Sequence, residues 1–260
     1  SVISQPRVKG LAHAMFLGEK RQLSYEHKKA FAASGASHVL AISGLHVGVI
    51  FLLLNVLLKG LLHFAYGRQI RALLILGILL AYMFLTGASP AVCRATLMLG
   101  IILIFQFYRA RYSRLNVLGL AALIQIWIAP TVVTQLGFQL SYTAVLGYIL
   151  LMPWFESSFK ADNSFLSKLY GWIGISLVAT CATTPLVLFY FWQFPSYFLL
   201  KNVIISCFVS LLVMLGFLTV LLAGVPVIGE LLGRLSTRLL ELLDFTCLEI
   251  SRLPNAVLDI

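Results

Sequence analysis

Long apolar runs limit what this chain can fold into more than any other feature. A helix that crosses a bilayer core needs about 20 consecutive apolar residues. Runs of about this length are Val39–Leu58, Ala91–Phe107, Leu136–Met152, Tyr170–Phe191 and Val203–Ala223. Two shorter runs, Ala72–Leu85 and Leu115–Ala129, either gain length through snorkelling of Arg71 and Arg114 or are re-entrant segments shielded by other helices. About seven transmembrane segments are therefore expected, with the two short runs as candidates for re-entrant pieces.

The composition indicates the same class of protein. Of the 260 residues, 60% are hydrophobic and 11% are charged, whereas a soluble domain is about 45–50% apolar and about 25% charged. The sequence therefore predicts an all-α fold, a polytopic membrane helix bundle whose transmembrane domain covers residues 39–225.

Amphipathic helices are expected at both ends of this domain. In residues 1–38, a short helix ended by Gly18 and a second helix from Ser24 to Gly35 are expected on the membrane surface. The apolar face of the first helix consists of Leu11, Ala12, Met15 and Phe16. In residues 226–260, a helix over Glu230–Leu253 is expected to be interfacial or to pack on a partner. Its apolar stripe consists of Leu231, Leu235, Leu239, Leu242, Ile250 and Leu253, and the opposite face carries Glu230, Arg234, Arg238, Glu241 and Glu249.

The charge distribution favours an anion over a cation as the partner of any polar passage. The chain has 19 Lys and Arg and 9 Asp and Glu, a net charge of +10. Between Ala30 and Phe155 there is no carboxylate, although seven Lys or Arg are present. A passage built from this region would have positive or neutral walls. The alternative is that membrane-spanning segments simply avoid Asp and Glu.

The first polar motif is AISGLHVG, at the start of an apolar run. Gly44 and Gly48 form a GxxxG pair, which predicts close approach of another helix. His46 lies one turn from Ser43, and His38 lies two turns before it, so a polar cavity is expected to supply their partners. An alternative is an intramembrane serine hydrolase with Ser43 as nucleophile and His46 as base, although no carboxylate lies nearby. The histidines and scattered cysteines have no metal-site spacing, so no metal and no cofactor are expected.

The second motif is LTGASPAVCRATLM. Gly87 is predicted to end one helix, Ser89 to cap the next and Pro90 to occupy its first position. Arg94 then lies one turn inside an apolar helix, where a charge must face protein or water, which makes it a functional candidate. The alternative is that Arg94 snorkels to the membrane surface.

Two weaker motifs follow. In LGFQLSYTAVLG, Gln139 and Ser141 interrupt the start of a span. In ATTPLVLFYFWQFP, Pro185 can kink its helix, and Asn202 follows at the opening of the next one. Polar contacts between helices would account for Gln139 and Asn202 without any further function.

Together these stretches resemble one family. HVLAISGLHVG, LTGASPAVCRATLM, GFQLSY and the TTPL…KN tract occur in the order found in the ComEC-type competence proteins, and the likeness covers nearly the whole chain. The resemblance implies the transmembrane domain of a channel that carries transforming DNA, as a single strand, through the bacterial cytoplasmic membrane. It also implies that this chain is part of a longer one and is not itself an enzyme, because the family's metallo-β-lactamase-like domain has no counterpart in these residues.

The implied partners are single-stranded DNA, the lipid bilayer, neighbouring domains of a longer parent chain and other competence proteins, and a homo-oligomer is left open. The candidates for lining or shaping the passage are His38, Ser43, Gly44, His46, Gly48, Ser89, Pro90, Arg94, Gln139, Ser141, Pro185 and Asn202. The alternative to a DNA channel is a secondary transporter of a small anion, which would share broken helices and positive walls. The serine hydrolase is the third hypothesis.

The basic residues also predict an orientation. Loops Lys59–Arg71, Arg109–Arg114 and Lys160–Lys168 hold three, three and two Lys or Arg, and the alternate loops hold almost none. The positive-inside rule places these three loops in the cytoplasm and Ser1 outside, although six basic residues before Val39 argue the other way. The resemblance places the following domain outside as well, which requires a further crossing, most simply by a shielded terminal helix.

Overall fold

A computed structural model describes residues 6–18, 43–158, 164–191, 193–194, 198–222, 224–251 and 258–259. The α-helices in these ranges are α1 (Pro6–Leu17), α2 (Gly44–Leu57), α3 (Gly67–Leu85), α4 (Pro90–Phe107), α5 (Arg114–Ile128), α6 (Leu136–Ser158), α7 (Ser164–Phe191), α8 (Phe198–Leu221) and α9 (Pro226–Ser251). Short 3-10 helices follow α2 at Leu58–His63 and α5 at Pro130–Thr134. Two-residue strands, β1 (Gln193–Phe194) and β2 (Leu258–Asp259), pair antiparallel. The predicted all-α fold is confirmed.

Seven apolar helices coincide with the seven predicted runs. Five candidate spans have sufficient length and hydropathy to cross a membrane: Gly44–His63, Gly67–Leu85, Pro90–Phe107, Leu136–Ser158 and Ile173–Tyr190. The two shorter apolar helices are Arg114–Ile128 and Cys207–Leu221. The run Ala72–Leu85, marginal in the sequence, reaches span length because its helix begins at Gly67. A polytopic membrane helix bundle is thus confirmed, and the number of crossings stays a prediction.

The helix boundaries follow local sequence signals. Gly18 and Gly87 adopt φ values of +76° and +72°, the left-handed conformation that glycine reaches without steric cost, directly after α1 and at the end of α3. Pro90 is the first residue of α4, where its missing N–H leaves no hydrogen bond unmade. The predicted stop and start signals at these three residues are therefore confirmed.

The chain divides into two compact units. Unit 1 comprises residues 1–110 and 204–256, and unit 2 comprises residues 111–203 and 257–260. In unit 1, α2, α3 and α4 pack on one another as neighbours. A Cβ at Gly44 in α2 would lie 3.4 Å from the Cβ of Ala95 in α4, so these two helices begin at the same end. The connecting helix α3 runs in the opposite direction.

The first helix, α1, is built into unit 1. Leu11, Ala12 and Met15, three of the four residues of its predicted apolar face, are buried in the same core cluster as residues of α8 and α9. A Cβ at Gly216 in α8 would lie 2.4 Å from the ring of Phe16, so α8 accommodates this ring only because it has no side chain there. The apolar face thus packs on protein. The second predicted surface helix, Ser24 to Gly35, lies outside the described residues.

The terminal helix α9 is confirmed, but the face that packs overlaps the predicted stripe only at Leu239 among the described side chains. Ser236, Leu240 and Leu243 are buried on one side of the helix. Within the predicted stripe, Leu231 and Leu242 are 59% and 48% exposed, whereas Leu239 packs against the core cluster. The exposed leucines suit an interfacial helix, as expected, whereas the packed face was missed because small and hydroxyl side chains are not counted as an apolar stripe.

Candidate functional site

The starts of α2 and α4 lie side by side at one end of unit 1. The position of a Cβ at Gly44 is 3.4 Å from the Cβ of Ala95 and 4.0 Å from the carbonyl oxygen of Ala91. The two sequence motifs, separated by more than 40 residues, are thus brought together by close packing of α2 on α4. Neither helix has an acidic residue in its first turn. Two helix N-termini therefore add their positive dipole ends and unpaired N–H groups in one place.

Ser43 and His46 form a reciprocal cap at the start of α2. The Ser43 backbone N–H donates to Nδ1 of His46 at 3.3 Å, and the Ser43 hydroxyl lies 3.0 Å from the same nitrogen. Ser43 is the N-cap residue, and His46 is at position N3, which Glu or Gln occupies in the usual capping box. The spacing that suggested a nucleophile and its base is therefore also the spacing of a helix cap.

The other ring nitrogen of His46 faces the interior. The side chain is 1% exposed. Because Nδ1 accepts the Ser43 N–H, a neutral ring carries its proton on Nε2, which is thus a donor. Nε2 lies near the backbone of Met15 but has no partner with hydrogen-bond geometry among the described residues. A buried donor of this kind is costly to leave unpaired, which makes it a candidate contact for something else.

The second motif turns sharply between α3 and α4. The N–H of Ala88 donates to the carbonyl of Met83 and the N–H of Gly87 to that of Phe84, which is the Schellman arrangement. Ser89 occupies the N-cap position as predicted, but its side chain makes no capping hydrogen bond. Its Oγ is instead buried without a partner in the part of the chain that the structure describes. The expected capping role of the Ser89 side chain is therefore wrong.

Arg94 is buried and not exposed at the surface. Its side chain belongs to the buried residues of α4 and is 7% exposed. Thr96, two residues further on, is 3% exposed, and its Oγ1 is buried without a hydrogen-bond partner among the described residues. Thr96 was not among the residues predicted from the sequence. A single hydroxyl between Arg94 and an apolar stretch is a weak indication that this part of α4 faces other polar groups. Snorkelling of Arg94 to the surface is not what the fold shows.

Gly48 does not take part in the close packing that the GxxxG spacing predicted. A Cβ at Gly48 would meet nothing within 4 Å, whereas Gly44 faces α4 directly. Four residues on an α-helix are separated by about 40° of rotation as well as by one turn, so one helix need not contact both. The prediction holds at Gly44 only.

Gln139, Ser141 and Pro185 belong to unit 2, which is described by itself. Gln139 Nε2 donates to the carbonyl of Val133, and Ser141 Oγ donates to the carbonyl of Gly137 within α6. Both side chains thus donate hydrogen bonds to backbone carbonyls near the start of α6. Pro185 lies within α7, which continues to Phe191. Three threonines before it, Thr180, Thr183 and Thr184, donate to carbonyls one turn back.

Two other candidates cannot be placed at the site. His38 lies outside the described residues, and Asn202 lies in α8, where the structure describes the backbone only. Among the described residues no three His, Cys, Asp or Glu side chains are grouped as metal ligands would be. Whether the candidate residues line a passage stays a prediction.

A polar contact that the sequence did not reveal lies at the opposite end of α2. Arg71 donates through Nη2 to the side-chain oxygen of Asn55, and Asn55 Nδ2 donates to the carbonyl of Phe51 at 2.7 Å. Snorkelling of Arg71 to the membrane surface was one of the two alternatives for the short run that it precedes. In the structure its guanidinium joins the end of α2 to the start of α3, which stabilises the antiparallel pair.

Comparison with known proteins places these motifs in a family. The family model described as "Competence: Competence protein" matches residues 15–260. ComE operon protein 3 of Bacillus subtilis (strain 168) is 29% identical over 211 residues, which are 81% of this chain and 26% of that protein. An uncharacterised protein of Aquifex aeolicus (strain VF5) is 33% identical over 244 residues, 92% of this chain and 55% of that protein.

A third relative is Recombination protein 2 of Haemophilus influenzae (strain ATCC 51907 / DSM 11121 / KW20 / Rd), 28% identical over 174 residues, 64% of this chain and 22% of that protein. The chain thus spans from about a fifth to about half of the length of these relatives. No solved structure matches it. Because the family model covers all but the first 14 residues, the chain belongs to the Competence protein family.

Proposed function

We propose that this chain is the membrane domain through which single-stranded transforming DNA crosses the bacterial cytoplasmic membrane. Family membership and the order of the four ComEC-type motifs support a role in DNA uptake. The bundle of apolar helices supports a location in the membrane. The partners that follow from this role are single-stranded DNA, the lipid bilayer, further domains of a longer chain and other competence proteins.

The observation that carries the proposal is the pairing of two helix N-termini beside a buried arginine. Single-stranded DNA has one negative charge per phosphate, and a passage must attract it without holding it too tightly. The starts of α2 and α4 supply backbone N–H groups and positive dipole ends, and Arg94 supplies a full charge one turn further along. The absence of any Asp or Glu from Ala30 to Phe155 means that nothing in this stretch of sequence opposes them.

Donors without charge complete this proposed anion path. Nε2–H of His46 and the hydroxyl of Ser89 are buried at the same end of unit 1; the Ser89 hydroxyl lacks a partner among the described residues, and the backbone of Met15 is the group nearest to the His46 ring. A phosphate oxygen accepts from such donors regardless of the base that it carries, which suits a channel that must pass any sequence. We therefore assign His46, Ser89 and Arg94 to phosphate contacts.

The proposed function requires no catalysis by this chain. The contact between Ser43 and His46 is accounted for by helix capping, and the other ring nitrogen of His46 has no carboxylate to orient it among the described residues. Any nuclease activity of a parent protein would belong to a domain outside this sequence.

Charge reversal at Arg94 tests the proposal in cells that carry the full-length parent protein. Loss of one charge-assisted hydrogen bond costs about 1.5–3 kcal/mol, which corresponds to a fall of about 10- to 100-fold in occupancy of the site. We expect Arg94→Ala to lower the transformation frequency by about this factor, Arg94→Glu to lower it further, and Arg94→Lys to recover part of it, because phosphate tracking needs charge more than bidentate geometry.

The control is Arg234→Glu, which reverses a charge on the exposed face of α9, where the side chain is 70% exposed. Equal amounts of each variant in the membrane, measured by immunoblot, separate loss of function from loss of protein. Binding of double-stranded DNA at the cell surface should be unchanged, while entry of labelled single strands into the cytoplasm falls. Normal transformation by Arg94→Glu at a normal protein level would remove Arg94 from the DNA path.

A further inference from the structure

An apolar groove lies between α3 and α4, at the end of unit 1 opposite to the paired N-termini. It has a volume of about 170 Å³ and is lined by Ala72, Leu73, Leu76, Leu103, Ile104, Phe107 and Tyr108. An apolar cavity of about 150 Å³ is large enough to hold a benzene molecule. This groove therefore has room for several carbon atoms of a hydrocarbon chain.

The groove opens on the outer surface of the two helices. Its floor consists of Ala72 and Leu103, which are buried, and its rim includes Leu73 and Ile104, which are more than half exposed. The small side chain of Ala72 leaves the space between its larger neighbours. Because α3 and α4 are both candidate spans, the exposed apolar side chains of this surface suit contact with the bilayer, where an acyl chain is the apolar group available.

Basic and aromatic side chains surround the end of the groove. Arg68, one turn before Ala72, and Arg109, directly after Tyr108, are both exposed. Tyr66 and Tyr108 are each 73% exposed, as is usual for aromatic residues at headgroup depth. No carboxylate occurs between Ala30 and Phe155, so the charged side chains that α3, α4 and their connections contribute at this end are all positive. The positive-inside rule places the same end at the cytoplasmic leaflet, which carries anionic lipids.

Arg109 occupies a position where glycine is preferred. The N–H of Ala110 donates to the carbonyl of Phe105 and that of Arg109 to the carbonyl of Gln106, so α4 ends in a Schellman motif with Arg109 at φ +56°. The same motif at the end of α3 has Gly87 at this position, with φ +72°. Arginine is less stable than glycine in the left-handed region, so Arg109 places its charge here at a conformational cost.

We infer that the α3–α4 groove binds an acyl chain of an anionic phospholipid whose headgroup contacts Arg68 and Arg109. The groove fixes the chain, and the two guanidinium groups select the negatively charged headgroup over a zwitterionic one. The site lies at the end of unit 1 away from Arg94, so it does not depend on DNA conduction. Its role is to attach the α3–α4 pair to the cytoplasmic leaflet.

Lipid binding to the purified chain in detergent tests the headgroup part of this inference. Native mass spectrometry measures the retained lipid with phosphatidylglycerol and with phosphatidylcholine of identical acyl chains. We expect phosphatidylglycerol to bind more tightly, and Arg68→Gln and Arg109→Gln each to weaken its binding about fivefold, since one basic side chain near an anionic headgroup contributes about this factor. Arg234→Gln, a matched change on α9, should leave both affinities unaltered.

Arg109→Gly separates lipid binding from folding. Glycine suits the left-handed position, so this variant should melt at the parent temperature or above it without lipid while still losing about fivefold in phosphatidylglycerol affinity. Leu73→Trp tests the groove, because a larger rim side chain fills it and should weaken binding of both lipids. Leu80→Trp, two turns along the same face of α3 but outside the groove, is its control.

Two results would overturn the inference. One is equal affinity of the parent chain for phosphatidylglycerol and phosphatidylcholine. The other is a phosphatidylglycerol preference that survives the combined Arg68→Gln and Arg109→Gln changes. Equal effects of Leu73→Trp and Leu80→Trp would show that the acyl chain does not occupy the groove and would refute that part.

Discussion

A close approach of α6 and α7 in unit 2 depends on one missing side chain, and adding it should separate these two helices. A Cβ at Gly147 in α6 would lie 2.3 Å from the Cβ of Ala182 and 3.6 Å from the carbonyl oxygen of Val178, both in α7. Two carbon atoms in ordinary contact are about 3.5–4.0 Å apart. Gly147→Ala therefore requires α6 and α7 to move apart locally by more than about 1 Å.

The size of the effect follows from two opposed terms. Overpacking of one methyl group into a close helix contact costs about 1–3 kcal/mol. Replacement of glycine by alanine in a helix gains up to about 1 kcal/mol of helix propensity. Gly171→Ala is the matched control, because Gly171 also lies in this helix pair but a Cβ there would meet nothing within 4 Å. The propensity terms cancel in the difference between the two variants, which should be about 1–3 kcal/mol.

Thermal unfolding of the purified chain in detergent, followed by tryptophan fluorescence, measures this difference. Gly171→Ala should melt at or above the parent temperature, and Gly147→Ala should melt several degrees below Gly171→Ala. Circular dichroism on the same samples checks that helix content at low temperature is the same. If the two variants melt together, α6 and α7 do not approach each other as closely as the fold indicates, and the argument from Gly147 fails.

Three further predictions concern the start of α2 and the orientation of the chain. Ser43 should not react with a fluorophosphonate probe, because its hydroxyl serves the helix cap; labelling that His46→Ala abolishes would instead favour a hydrolase. His46→Gln should keep the contact with the Ser43 N–H and melt near the parent temperature, whereas His46→Met should lose about 1 kcal/mol of stability, a typical value for a lost cap. Single cysteines at Ser4, Ser113 and Asn255 in a cysteine-free background should be labelled by an impermeant maleimide on spheroplasts at Ser4 and Asn255 only; labelling at Ser113 would reverse the predicted orientation.

Local signals were sufficient to predict most of the fold, because membrane helices can be recognised from the length and apolar composition of their sequence. The seven runs, the stops at Gly18 and Gly87, and the start at Pro90 needed no knowledge of tertiary contacts. Contacts between segments that are distant in the sequence were harder to predict. The bond from Arg71 to Asn55 links residues 16 positions apart, and either side chain alone reads as a snorkelling or helix-packing residue. The packed face of α9 was missed for the same reason, since Ser236 becomes part of a core only through its neighbours.

The candidate site was predicted in its residue types but not in its arrangement. The polar positions at Ser43, His46, Ser89 and Arg94 could be read from the sequence because each interrupts an apolar run. They come together because Gly44 lies against Ala91 and Ala95. The GxxxG spacing predicted this close packing at both glycines, but only Gly44 takes part in it. The roles within the site also differ from expectation, since the hydroxyl of Ser89 does not cap its helix and His46 does the work expected of an acidic or amide residue.

The histidine at position 46 meets two requirements of its position at the start of α2. A capping box needs an acceptor at N3, and Glu would supply one with the added benefit of a negative charge beside a helix N-terminus. At 1% exposure a glutamate would be buried at a large desolvation cost, and its charge would cancel the positive end that α2 presents beside α4. The imidazole accepts through Nδ1, remains neutral and still presents a donor at Nε2. Histidine therefore caps the start of α2 without adding a negative charge that would repel an anion. Glu would add that charge, and an apolar residue could not form the cap.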